Sequence, residues 1–296
     1  MTQPSAPLAM RPEVTIGVDV GGTNVRAARI GADGTVSGLR RARTDSVPLV
    51  GDLIESLVRE LLDDDVVGVG VGIPGRLDRD GRMALSAGFV NLAGIALGEV
   101  LSARIGRPVV LDNDAHMALV AELAVGAASG ADDVVMFTVG TGIGGAVAVA
   151  RTVIRGRGNA GQLGHLTIDP AGPVCKCGRR GCSEVFLSGT ALNGYIEDAG
   201  LPKGTTVERL LLERGHDPAA AAVLARWVGP WRHAIDTIIA GLDPDLVVLG
   251  GGLGVAAAAA LEGIVPASPW FDCPVVAASL GDDAGVIGAG LRAFSA

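Results

Sequence analysis

The chain has 296 residues, a net charge of −8 and 49% hydrophobic residues, but only 3% aromatics. That length buries a large core without disulfide support, and an acidic chain with no basic cluster argues against nucleic acid or an anionic membrane as partner. Mean hydropathy is +0.43, yet the longest uncharged stretches, 134–150 and 246–261, fall short of the roughly 20 apolar residues of a spanning helix, and glycine clusters interrupt both. The opening MTQPSAPLAMRPE lacks a charged segment followed by an apolar one, so it reads as a frayed tail, and a cytoplasmic protein is expected. With so few aromatics, the interior must be Val, Leu, Ile and Ala, which suits parallel strands buried on both faces.

In chain order, VTIGVDV (14–20) is an apolar, β-branched strand that stops at GGTN. VRAARIGADGTV then reads as a second strand, an Asp33-Gly34 turn and a third strand. Apolar residues at helical spacing predict a helix over 49–63, and VVGVGVGIPG a buried strand ending in a Gly-Pro-Gly turn. A helix over 97–105, a strand PVVLDND and an Ala-rich helix over 115–128 follow, then strand, glycine turn and strand in DVVMFTVGTGIGGAVAV. Beyond Cys182 helices are expected over 189–199, 206–214 and 218–241. LVVLGGG, a helix over 254–264, the strand PVVAAS and a helix over 284–294 close the chain. This is an α/β protein, and the paired openings at Val14 and Val134 hint at two similar halves facing a cleft.

Gly70, Gly72, Gly75 and Gly140, Gly142, Gly145 both match G-x-G-x-x-G by letter. A dinucleotide fingerprint needs a helix after the turn, whereas Gly75 leads into another turn and Gly145 into a strand. DVGGTN and TVGTGIGG suit phosphate better: tight turns between strands, whose backbone N–H groups can meet oxygens with no Cβ in the way. The candidates for nucleotide and Mg²⁺ are Asp19, Gly21, Gly22, Thr23 and Asn24, with Gly140, Thr141 and Gly142, and Gly251 and Gly252 from the GGG run. Asp19 would hold the magnesium directly or through water. Two hairpin turns without ligand are the bland alternative.

In GHLTIDPAGPVCKCGRRGCSE, His165, Cys175, Cys177 and Cys182 fall within eighteen residues of a chain holding four cysteines in all. Three Cys and one His form the tetrahedral shell that structural zinc prefers, with no open position for catalysis. A disulfide fits less well, since Cys175 and Cys177 are too close for an easy bridge. Cys273, in an apolar run, reads as a buried free thiol.

Together DVGGTNVR, GVGIPGRLD, LDNDAHMALVAE, TVGTGIGGA, the His-Cys segment and LVVLGGG resemble the ROK family of sugar kinases and repressors, over nearly the whole chain after residue 13. The resemblance implies the actin/hexokinase-type (ribonuclease H-like) α/β fold, two lobes around a nucleotide and sugar cleft. The expected small lobe is 13–120 with 283–296, and the larger, zinc-bearing lobe 121–282. It implies ATP-dependent phosphorylation of the 6-hydroxyl of a hexose, glucose or a close relative, in a homodimer or homotetramer. It implies Asp114 as catalytic base, since a primary alcohol is a poor nucleophile until a carboxylate accepts its proton. Asn113 would bind a sugar hydroxyl, His165 and Glu184 would contact the sugar, and Gly75 would form a turn packed against it. Plainer roles are a helix cap for Asn113 or Asp114 and a solvated loop carboxylate for Glu184.

Two departures bear on specificity. Gln162 stands where many family kinases have Glu, three residues before the histidine, which opens the alternative of an amino or N-acyl hexose such as kanosamine, N-acetylglucosamine or N-acetylmannosamine. Asn91-Leu92 is followed by Ala93-Gly94-Ile95 rather than by an early Trp. The family's sugar-sensing regulators carry a DNA-binding domain ahead of this body, and 13 residues precede Val14; with Asp19 and Asp114 both present, turnover is the stronger expectation.

Overall fold

The computed structural model describes residues 12–46, 49–78, 84–86, 94–266 and 268–295. The first half runs β1 (Val14–Val20), β2 (Asn24–Gly31), β3 (Val36–Arg43), α1 (Val50–Leu61), β4 (Val66–Ile73), β5 (Arg76–Leu77), β6 (Ala84–Ser86), α2 (Leu97–Ile105), β7 (Val109–Asn113) and α3 (Asp114–Val125). The second runs β8 (Val134–Val139), β9 (Ile143–Val149), β10 (Thr152–Val153), α4 (Glu184–Leu187), α5 (Gly189–Asp198), α6 (Val207–Glu213), α7 (Pro218–Leu242), β11 (Leu246–Gly250), α8 (Gly254–Leu261), β12 (Val275–Ala277) and α9 (Ala284–Ala293).

Each half builds one five-stranded sheet, in the orders β3-β2-β1-β4-β7 and β10-β9-β8-β11-β12. In both, two antiparallel steps form the hairpin side and two parallel steps form the other. The same strand order twice over bears out the hint of two similar halves. The short pair β5-β6 stands apart.

Apolar periodicity placed the helices well. α1 buries Val50, Leu53, Ile54, Leu57, Val58 and Leu61 along one stripe. Side-chain caps fix several starts: Asp217 accepts the Ala219 N–H at 2.8 Å with Pro218 in the first turn, and Thr206 accepts the Arg209 N–H at 3.3 Å. α7 continues through Pro230, held by the fully buried Trp227 and Trp231 on either side. The strands β5, β6 and β10 were not anticipated; they are two or three residues long, too short for periodicity to register.

Three apolar clusters carry the core: one within each half and a third between them, where α3 and α9 lie side by side. α9 packs on the other half's sheet, against β1, β4 and β2, while α3 lies between the sheets, against β9 and β8 of the second half and β4 and β7 of its own. The glycines of β1 and β4 make this possible. A Cβ on Gly17 would collide with the Val286 carbonyl of α9, and one on Gly70 with the Ala289 carbonyl. Gly70, which by letter opened a dinucleotide motif, is a seat for a helix.

Candidate active site and metal centre

The two halves face each other across a cleft of 1990 Å³. Every predicted sugar and nucleotide residue lines it: Gly75, Asn113, Asp114, Gln162, His165 and Glu184, then Asp19, Gly21, Gly22, Thr23, Asn24, Gly140, Thr141, Gly142, Gly251 and Gly252. Asp19, Gly75, Asn113, Gly140 and Gly251 lie at or just past the C-terminal ends of β1, β4, β7, β8 and β11, where an α/β sheet leaves groups free for ligands, whereas Gln162, His165 and Glu184 come from the segment between β10 and α5.

Asp19, next to last in β1, lies opposite Arg26 in β2, and their side chains pair at 2.7 Å. Its carboxylate abuts Gly285 in the first turn of α9, where a Cβ would lie 2.7 Å from the carboxylate carbon. The turns Gly21–Thr23 and Gly140–Gly142 close the hairpins β1-β2 and β8-β9, and Gly251, at φ +77°, turns the chain from β11 toward α8. The second G-x-G-x-x-G match thus runs into β9, without the helix a dinucleotide site needs.

Asn113 is the N-cap of α3: its Oδ1 accepts the N–H groups of Ala115 at 2.9 Å and His116 at 3.3 Å, while its Nδ2 donates to the Gly75 carbonyl at 2.8 Å. The helix therefore starts at Asp114, one residue before the sequence suggested. Asp114 is the first helical residue, at the cleft floor. Burial first, then the negative charge of Asp19, push its carboxyl up to about 6. A carboxyl poised there is ionised at neutral pH yet basic enough to take a proton, the combination general-base chemistry uses.

Glu184 opens α4, with its side chain 14% exposed, so it is not a solvated loop carboxylate. Its Oε2 accepts the Ile143 N–H at 3.2 Å and its Oε1 lies 3.2 Å from the Lys176 ammonium. A Cβ on Gly142 would sit 2.6 Å from Glu184 Oε2, so the glycine turn and the carboxylate are fitted to each other.

The side chains of His165, Cys175, Cys177 and Cys182 converge, with all four ligand atoms within 4.8 Å of one another. Cys177 Sγ lies 3.6 Å from Cys182 Sγ, and Cys175 Sγ 3.6 Å from His165 Nδ1. Bond lengths of about 2.3 Å to sulfur and 2.0 Å to nitrogen give tetrahedral edges of roughly 3.5–3.8 Å. Both separations match. All four cysteines are free thiols, and Cys273 is buried with its Sγ 3.2 Å from the Pro244 carbonyl. Arg179 braces the loop by donating to the His165 carbonyl at 3.0 Å and the Thr167 hydroxyl at 2.6 Å, and buried Ser183 donates to the Leu163 carbonyl at 2.6 Å. With Nδ1 turned to the sulfurs, the other edge of the His165 ring is left for the cleft.

Residues 79–83 and 87–93, with the Asn91-Leu92 pair, and the N-terminal tail 1–11 lie outside the described residues. Sequence reasoning missed Arg26, Arg41, Arg76, Lys176 and Asp282, which also line the cleft. Arg26 was within reach: counting back across the hairpin from Asp19 lands on it. Arg41 on β3 and Arg76 on β5 reach the cleft only through the packing of their strands, and Lys176 and Asp282 through the fold of the segments that carry them.

The ROK family model matches residues 15–293. Glucokinase of Thermotoga maritima is 32% identical over 304 residues, spanning 93% of this chain and 95% of that protein. N-acetylmannosamine kinase of Escherichia coli K12 is 33% identical over 291 residues, spanning 94% and 98%. The crystal structure of a ROK glucokinase from Streptomyces griseus in complex with glucose and AMPPNP superposes with a TM-score of 0.80 at 29% identity, covering 96% of this chain and 100% of that one. The two lobes and their cleft are those of the actin/hexokinase-type α/β fold. No helix among the described residues is long and apolar enough to cross a membrane. A match across 15–293 and these identities place the sequence within one family: the chain belongs to the ROK family.

Proposed function

We propose that the protein is an ATP-dependent hexose kinase that phosphorylates the 6-hydroxyl of glucose or a close relative, with Asp114 as general base. The observation that carries this reading is a carboxyl poised near 6 at the cleft floor, between the polar groups of Asn113, Gln162, His165 and Glu184 and the glycine turns of both hairpins. Asn113, held by the Gly75 carbonyl and the start of α3, presents its amide to a sugar hydroxyl. Glu184 and His165 receive further hydroxyls, and Gly75 forms the wall behind them. Asp114 accepts the 6-hydroxyl proton as the oxygen attacks the γ-phosphorus. On the phosphate side, Gly21, Gly22, Thr23, Asn24, Gly140, Thr141 and Gly142 offer N–H groups and hydroxyls, Gly251 and Gly252 face the nucleotide, and Asp19 holds Mg²⁺.

Zinc, when bound, supplies a cross-link and no reaction chemistry; its four ligands fix the loop that aims His165 and Glu184. The same reading takes 13–120 with 283–296 as the small lobe and 121–282 as the larger. It places the enzyme in the cytoplasm as a homodimer or homotetramer with no nucleic-acid partner, an assembly that sedimentation measures. A coupled assay with ATP and a panel of hexoses tests the core of it: phosphorylation of at least one hexose is expected, and none with any would overturn it.

Gln162 favours a second reading, an amino or N-acyl hexose. A glutamine offers both a donor and an acceptor and no charge where a substituent at the pocket edge would meet it. The likeness to N-acetylmannosamine kinases supports it. In the same panel a modified sugar should beat glucose in kcat/KM; a clear win for glucose ends the idea.

A further inference from the structure

Behind the sugar end of the cleft lies a buried ionic cluster that the proposed reaction does not use. Asp112, next to last in β7, is 3% exposed. Its Oδ1 lies 2.8 Å from His116 Nδ1 and accepts the Asn113 N–H at 2.8 Å. Its Oδ2 accepts from Arg155 Nε at 2.6 Å and also pairs with Arg155 Nη2. His116, 5% exposed, sets its Nε2 3.2 Å from the Ala160 carbonyl. Both ring nitrogens face acceptors, and only an imidazolium donates to both.

The partners come from opposite halves. Asp112 and His116 belong to β7 and α3, whereas Arg155 and Ala160 bound a turn that follows β10. That turn closes on the Arg155 carbonyl, which accepts the N–H groups of Gly158 at 2.9 Å and Ala160 at 3.4 Å. Its two ends are therefore each bonded to the other half, one through the Arg155 side chain and one through the Ala160 carbonyl. Gly158 has φ +87°, and a Cβ there would collide with the Leu77 carbonyl of β5, so the turn also lies backbone against backbone. Two residues past Ala160 comes Gln162, whose N–H donates to the Asn159 carbonyl at 3.3 Å. Gln162, Gly75 and Asn113 share a 10 Å³ void with the cluster, so it adjoins the sugar end directly.

Burial opposes ionisation of Asp112, but the contacts with His116 and Arg155 outweigh it and hold the carboxyl below its ordinary value. Among the described residues, Asp114 on α3 and Arg292 on α9 also sense the cluster, and Asp78, just past β5, lines the same void. A buried carboxylate held by a guanidinium and an imidazole tolerates the loss of neither, because removing a partner leaves its charge less compensated.

We propose that Asp112, His116 and Arg155 are positioning residues that clamp the 155–162 segment to the junction of β7 and α3, which bears Asn113 and Asp114, and so set where Gln162 stands across the sugar pocket. In its substrate arm the proposal rests on the hexose-kinase reading. Three measurements on wild type, Arg155→Met and Arg155→Lys test it. Nitrogen NMR of wild type should show the His116 ring protonated at both nitrogens, and a neutral ring would overturn the bonding to both halves. Hydrogen exchange over 155–162 should quicken at least tenfold in Arg155→Met and less in Arg155→Lys, which keeps the charge without the fork; unchanged exchange would overturn the clamp. In kinetics, KM for the hexose should rise about tenfold in Arg155→Met while KM for ATP and kcat move less than threefold. Equal rises in both KM values would mean a general structural defect and sink the positioning role. Should wild type phosphorylate no hexose, the kinase reading fails, while the NMR and exchange measurements still decide the clamp.

Discussion

The two halves share a strand order but not a chemistry. At the end of β1 the first half has Asp19, and at the matching place in β8 the second has Thr138. β7 ends on Asn113 and leads into Asp114, whereas β12 ends on Ala277 and leads into Ala278. The second half instead places the large excursion between β10 and β11, holding the His-Cys loop and α4 to α7. The first half bears Asp19, Asn113 and Asp114, and the second bears its own glycine turn and the shaped loop with Gln162, His165 and Glu184. A duplicated architecture needs only one set of reactive groups, because both sheets point their strand ends into a single cleft. The copy that lacks counterparts of Asp19 and Asp114 is free to serve binding and shape.

That division can be broken by substitution. Asp114→Asn, in the first half, should lower kcat by about 10²–10⁴, the usual worth of a general base, with little change in hexose affinity by calorimetry. Intact turnover would move the chemistry elsewhere. The pH profile follows from the same group. Asp114 works as carboxylate and its carboxyl is raised to about 6 in the free enzyme, so kcat/KM should fall about tenfold per pH unit below that value and level off above it. The raised value also means that ionised Asp114 costs the fold stability above about pH 6, so Asp114→Asn should raise Tm at pH 8.

Elemental analysis should find one zinc per chain in wild type and none in Cys182→Ser, in the second half, which should also raise hexose KM by about 10–100-fold, the range typical of groups that orient a site, with kcat less affected. A fall in kcat with KM unchanged would give the zinc loop a reactive role. The smallest effect should come at the seam between halves. Gly17→Ala pushes a methyl into the α9 backbone and should cost about 1–3 kcal/mol by thermal unfolding, leaving the kinetics of the surviving fold unchanged.

Much of this was legible beforehand. Glycine turns at strand ends, the His165 and cysteine spacing and the Asn113-Asp114 pair are local patterns, and local patterns keep their meaning wherever the chain goes. Asn113 also shows how one residue holds two roles: its side-chain oxygen caps α3 while its nitrogen meets Gly75. The cluster of Asp112, His116 and Arg155 was not legible, although Asp112 directly precedes that pair. Its meaning depends on Arg155, 43 residues away on the other half.

By itself, then, the sequence determined the α/β class, the helices with strong apolar stripes, the zinc set and the family, because each rests on spacing within a few turns of chain. Only the tertiary structure decided that α9 crosses to the first half's sheet and α3 lies between the two sheets, that Gly70 seats a helix rather than a phosphate, that Asp114 sits near Asp19 with a raised carboxyl, and that Arg155 ties the halves together. Those facts depend on burial and on distances between segments far apart in the chain, and neither quantity is set until both sheets have packed.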